Sequence, residues 1–141
     1  MPRIKLELPQ TFSFSTQISV RITDLNYGGH LGNDAVLSLL HEARMQFFTH
    51  GGYTELDFAG VGLIMADVAI EFKAEAFYGE VLNIYVTAAD FSRVGFDVYY
   101  KLVKDENETV VALAKTGMIC FDYTRKKVVS VPQEAVDKLK G

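Results

Sequence analysis

The sequence predicts an α+β fold in which a curved antiparallel sheet wraps one long central helix. Three observations carry that expectation. Residues 11–22 alternate apolar and polar side chains, residues 33–49 switch to a helical period, and the chain from residue 63 onward reads as consecutive strands joined by short polar turns. A helix as apolar as 35–48 must be largely enclosed, so the sheet is expected to curl around it.

In the first strand Phe12, Phe14, Ile18, Val20 and Ile22 share one face; Thr11, Ser13, Ser15, Gln17, Ser19 and Arg21 share the other. In the helix Val36, Leu40, Ala43 and Phe47 form a stripe broadened by Leu39. Asn33 reads as its N-cap, Asp34 suits the first turn, and Gly51-Gly52 ends it. Residues 63–73 alternate Ile64, Ala66, Val68, Ile70 and Phe72 against Met65, Asp67, Ala69, Glu71 and Lys73. A turn at 77–80 leads to strand 81–90, a break near 92–95 to strand 96–104, and Asp105-Glu106-Asn107-Glu108 to a long strand over 109–123. A strand-like piece, 128–131, follows a turn at 124–127, and Pro132 opens a small helix over 133–140. A sheet of this kind leaves one edge and its outer face open, with Tyr78, Tyr85 and Tyr99 at outward or rim positions, which predicts association.

A length of 141 residues suits one domain with a real core, residues 1–141, and 49% apolar content marks a globular chain. The net charge of −4, with no basic block, argues against nucleic acid as a partner. No apolar run reaches the roughly 18 residues of a membrane span, and the opening Met-Pro-Arg-Ile-Lys-Leu-Glu-Leu has no signal-peptide core. The expectation is a soluble cytoplasmic protein. Cys120, the single cysteine, lies in an apolar strand-like run and reads as a buried side chain. The three histidines have no ligand spacing, so no metal is expected, and Gly28-Gly29 lacks the lysine and spacing of a phosphate loop.

Candidate chemistry concentrates at residues 20–44. A strand runs into a short polar turn holding Asp24, Asn26, Gly28, Gly29 and His30, and the amphipathic helix follows directly. Such a turn gathers polar groups, flexible glycines and a helix N-terminus, an arrangement for holding a carbonyl or anion beside an acid/base group. Asp24 reads either as a base or as a turn residue accepting backbone N–H groups. His30, as a residue type that titrates near neutrality, reads as a base, a carbonyl-positioning group, or a structural staple. Asn33 caps the helix or orients substrate. His41 and His50 read as surface and helix-end residues.

The segment Arg21–Arg44 resembles the 4-hydroxybenzoyl-CoA thioesterase family of hotdog-fold enzymes. That family's pattern runs roughly R-x-x-D-x-D-x-x-G-H-x-x-N into a helix ending near E-A-R, and Arg21, Asp24, Gly29, His30, Asn33 and Glu42-Ala43-Arg44 match it without a gap. Ile70-Glu71-Phe72-Lys73 with Phe77-Tyr78-Gly79-Glu80, and the closing stretch Val128–Glu134, resemble further family segments. The resemblance implies a hotdog thioesterase-like domain that hydrolyses an acyl-CoA at a subunit interface, in a homodimer or dimer of dimers. Coenzyme A is then part of the substrate and no cofactor is needed.

One departure matters. The family's second acid is its usual catalytic carboxylate, and here that position is Asn26, which cannot ionise but can orient water or donate to a thioester oxygen. The catalytic candidates are therefore Asp24, Asn26, His30 and the helix-borne Glu42; Glu42 equally reads as a salt-bridge residue. Gly28, Gly29 and Asn33 are candidates for substrate binding, with helix N–H groups polarising the carbonyl. Lys73, Arg93 and Lys101 are candidates for meeting coenzyme A. Two other readings stand beside the thioesterase: a hotdog dehydratase or hydratase pairing His30 with Glu42, and a non-catalytic acyl-CoA or acyl-carrier binding protein.

Overall fold

A computed structural model describes residues 3–140. The chain runs β1 (Phe14–Ser19), a 3-10 turn (Ile22–Asp24), α1 (Asn33–His50), β2 (Gly62–Phe72), β3 (Val81–Ala89), β4 (Gly95–Lys104), β5 (Val110–Asp122), β6 (Lys127–Val128) and α2 (Gln133–Leu139). The strands form one antiparallel sheet in the order β1-β3-β4-β5-β2, with β6 paired to β5. With α1 packed on its inner face, this is the α+β arrangement the sequence predicts.

Strict alternation builds the inner face. Leu82, Ile84 and Val86 on β3, Phe96, Val98, Tyr100 and Leu102 on β4, and Ala112, Ala114, Thr116, Met118 and Cys120 on β5 are all buried. Register matches large to small: Tyr100 lies opposite Ala114 and Leu102 opposite Ala112, which leaves room for the helix above. From α1 come Val36, Leu39, Leu40, Ala43, Phe47 and Phe48. Phe48 meets Phe58 at 5.5 Å edge-on, and Phe58 stacks on Phe96 at 5.3 Å. Each such ring buried contributes about 1.5–3 kcal/mol.

Several expectations from the sequence are corrected. The first strand stops at Ser19, because the chain turns into the 3-10 segment, and Ile22 is left exposed rather than sharing the core face. Gly32, not Asn33, is the N-cap of α1; Asn33 is already helical. The alternation of β2 is broken by a bulge, since Met65 pairs with Met118 and Asp67 with Gly117, leaving Ala66 unpaired. As a result Met65 and Val68 are both exposed. The closing strand shrinks to Lys127–Val128, although Val129 and Val131 still donate to the carbonyls of Cys120 and Arg93. The outer face of the sheet is not bare. Residues 3–13 run across it, Phe12 packs on Tyr85, and Tyr99 is buried with its hydroxyl on Asp90. Tyr78 does stay exposed. Cys120 is fully buried, and burial pushes its thiol up to about 11. Among the described residues no helix is long and apolar enough to cross a membrane.

Candidate active site

The turn before α1 is a tight hairpin. Leu25 bridges Leu31, Asn26 N–H donates to the His30 carbonyl (2.8 Å) and Gly29 N–H to the Asn26 carbonyl (3.1 Å). Gly29 has φ +81°, so this three-residue loop needs glycine where it closes. At Gly28 a Cβ would meet Asn26 Oδ1 at 3.4 Å and the His30 ring at 3.7 Å, ordinary van der Waals contacts, so the close fit there does not itself demand glycine. Two further bonds fix the loop to its surroundings, Leu31 N–H to the Ala76 carbonyl and Gly32 N–H to the Asp24 carbonyl.

Asn26 Oδ1 accepts the backbone N–H groups of Gly28 (2.9 Å) and His30 (3.2 Å). Its carbonyl end is thereby committed, and its Nδ2 donors have no intramolecular acceptor among the described residues. The His30 ring is held by Glu75, with Nδ1 3.0 Å from Oε1, and by the Phe77 ring at 5.3 Å. A Nδ1–H donated to Glu75 leaves Nε2 as the lone-pair nitrogen, and Nε2 has no partner among the described residues.

These groups line one cleft of about 340 Å³, closed by Leu31, Asn33 and Val36 on the helix side and by Phe72, Lys73, Ala74, Glu75, Ala76 and Val111 on the sheet side. The N-cap of α1 opens here. Val36 N–H bonds Gly32, so the N–H groups of Asn33, Asp34 and Ala35 precede the first helical hydrogen bond and carry the positive end of the helix dipole. The cleft therefore combines an aligned imidazole, amide donors and a helix N-terminus.

Of the residues singled out from sequence, Asn26, His30, Asn33 and Lys73 come together in this cleft, with Gly28 and Gly29 shaping its loop. Four others lie elsewhere, among them Lys101, on the outer face of the sheet. Asp24 is buried beneath the loop, accepting the Arg21 backbone N–H at 2.8 Å and its guanidinium at 3.1 and 3.2 Å. Burial opposes its ionisation, but Arg21 outweighs that and holds the carboxyl below the usual carboxylate range. Glu42 accepts from Gln46 (2.7 Å) in a separate groove between α1 and β1. Arg93 stands in the β3–β4 turn, beside the Cys120 end of β5. The cleft is at the Val111 end, roughly 25–30 Å away at about 3.4 Å per strand residue.

Glu75 and Phe77 were missed as site residues: the sequence marks 77–80 as a turn but not that it meets His30, and it is the Leu31–Ala76 bond, with the Val20–Glu80 and Gly79–Val20 bonds, that brings the segment there. A second polar cluster was missed too. Arg44, 6% exposed, donates from Nε to Glu55 Oε2 (3.0 Å) and from a terminal nitrogen to Tyr100 Oη (3.1 Å). Tyr100 Oη is 2.7 Å from Thr116 Oγ1, and His41 Nε2 is 2.9 Å from the other Glu55 oxygen. Arginine in an apolar helix face carried no signal of a partner eleven residues on in a loop. Among the described residues no cluster of three or more histidine, cysteine or acidic groups is placed to hold a metal.

A family model described as the thioesterase-like superfamily matches residues 20–139. The chain is 27% identical over 101 residues to a protein of Aquifex aeolicus (strain VF5) described as a putative esterase, a match covering 70% of this chain and 76% of that one. Its structure is similar to that of a 1,4-dihydroxy-2-naphthoyl-CoA thioesterase from Synechocystis, with TM-score 0.81 and 21% identity over 89% of this chain and 93% of the other. It is also similar to a DHNA-CoA thioesterase from Staphylococcus aureus, with TM-score 0.77 and 18% identity over 87% and 83% of the two chains. At these identities the structural matches establish a shared hotdog fold.

Proposed function

The chain belongs to the thioesterase-like superfamily, and from that membership and the chemistry of the cleft we propose that it hydrolyses an acyl-CoA to a carboxylic acid and free coenzyme A. The observation that carries the reading is the His30 ring, braced through Nδ1 by Glu75 with Nε2 unpartnered, beside the free amide of Asn26. His30 takes a proton from water as the water oxygen bonds to the thioester carbonyl carbon. The carbonyl oxygen gains the negative charge and is met by Asn26 Nδ2 and the N–H groups at the start of α1. Collapse of the adduct breaks the carbon–sulfur bond, and the thiolate takes the proton back from His30.

Asn26 then fills the place of the family's usual carboxylate without doing its work: it donates, while the base is the neighbouring imidazole. Asp24 braces the loop. The acyl group runs between Leu31, Val36, Phe72 and Val111. A second copy of the chain completes the site in this reading. What supports it is the 11-residue edge of β2, unpaired in the sheet order, with Met65, Val68 and Phe72 exposed along it.

The test is thiol release from short, medium, long and aromatic acyl-CoAs by the wild type and His30→Ala. Release with at least one substrate, and a kcat lowered about 10²–10⁴-fold in the variant, is expected. Silence on every thioester sinks the hydrolase; a variant as fast as the wild type removes His30 from the chemistry.

A further inference from the structure

Lys73 lines two spaces. One is the cleft; the other, about 510 Å³, is a groove on the outer face of the sheet, walled by Leu6, Leu8, Pro9 and Phe12 and floored by Lys101, Val110 and Leu113. The two meet around the end of β2, where the N–H groups of Lys73 and Ala74 both donate to the Val111 carbonyl (2.8 and 3.2 Å). Val111 is the bulged residue of β5, since Leu102 pairs with Ala112 and Val103 with Val110. From there Lys101 is two residues along β5 and one strand across, facing Leu113. That is roughly 7 Å along and about 4.8 Å across.

The groove differs in charge from its neighbours. Two lysines line it and no carboxylate does. Across the N-terminal segment, the adjoining groove holds Glu7 and Asp90 against Lys115. Glu71, at the rim, is already committed to Lys73 Nζ (2.8 Å) and to the Leu6 backbone N–H (2.6 Å), and it lies within the field of Lys5. Lys101 is half-buried and has no ion-pair partner among the described residues. In a chain of net charge −4, an apolar trough with one uncompensated ammonium group, Lys101, beside the Glu71-paired Lys73 suits an amphipathic anion.

We infer that this outer groove seats the phosphorylated adenosine end of coenzyme A, with the pantetheine arm passing Lys73 into the cleft. The inference rests on the thioesterase reading and adds where the carrier lies. The apolar walls take the adenine, Lys101 meets a phosphate, and Lys73 guides the arm over the sheet edge.

Lys101→Glu and Lys101→Gln, assayed against one acyl group as its CoA and its N-acetylcysteamine thioester, test it. Expected is a KM for the CoA ester raised tenfold or more in the glutamate variant and less in the glutamine variant. The kcat, and the KM for the N-acetylcysteamine ester, which has no nucleotide, stay unchanged. Equal changes on both esters, or none on either, overturn the groove. Calorimetry with adenosine 3′,5′-bisphosphate keeps the question separate from catalysis. Binding weakened by Lys101→Glu supports the groove even if no thioester is turned over; absence of binding, or binding indifferent to Lys101, overturns it while leaving the hydrolase standing.

Discussion

His30 meets Glu75 at 3.0 Å just before α1, and His41 meets Glu55 at 2.9 Å on the helix itself. By residue type and distance the two pairs are the same. They differ in what the remaining atoms do. Glu55 gives its second oxygen to buried Arg44, which passes to Tyr100 and Thr116 inside the sheet. Glu75 has no second partner among the described residues, and the ring it holds borders a cleft with an amide and a helix N-terminus. In the first case the carboxylate answers a buried charge and stability depends on it. In the second nothing depends on it except the direction of an imidazole. A histidine–carboxylate pair is thus no site by itself; its unspent valences and the space they face decide.

The largest effect expected from that contrast is on stability. Glu55→Gln leaves Arg44 buried without a counter-charge and is expected to cost about 3 kcal/mol in urea denaturation, or about 6–12 °C in Tm. Glu75→Gln, at an exposed position, is expected to stay within about 0.5 kcal/mol of the wild type. Similar losses in both variants would erase the distinction.

The reverse asymmetry is expected in turnover. Glu75→Gln lets the His30 ring lose its orientation and tautomer, so kcat is expected to fall about tenfold, near 1.4 kcal/mol of barrier, at unchanged KM. Glu75→Asp is expected to recover part of it, which a merely structural residue would not show. Glu55→Gln, assayed well below its melting temperature, is expected to keep kcat within about twofold. A kcat loss in Glu55→Gln and none in Glu75→Gln would interchange the two pairs.

The sequence announced some of this and not the rest, for physical reasons. Long periodic runs specify their own faces, so β3, β4, β5 and the apolar stripe of α1 were legible, as was the Asn26–His30 turn with its two glycines. Elements set by tertiary contact were not. The bulge at Ala66 interrupts an alternation that looks regular in one dimension. The N-terminal segment covers the outer sheet because Leu6, Leu8 and Phe12 pack towards Val110 and Leu113 there and the Leu6 N–H bonds Glu71. Glu75 and Arg44 act through residues 45 positions before one and 11 after the other, and a side chain's partner at that separation has no local signature.

Asp24 offers the finest test, because it stands in the loop of the first pair but is built like the second: buried, ionised and held by an arginine. Its carboxyl lies below the usual carboxylate range in the folded chain, so folding favours the charged form. The sign follows: this contribution is complete above the unfolded value of about 3.9 and is lost as pH falls through the folded value. Asp24→Asn is therefore expected to cost about 1 kcal/mol in urea denaturation at pH 7, with the gap to wild type closing on acidification below about pH 4. Its kcat at pH 7 is expected to change little, since a carboxylate pinned by Arg21 is not free to take a proton from water. A variant of undiminished stability whose kcat drops a hundredfold would mean the opposite, that Asp24 releases Arg21 when substrate arrives and is itself the base.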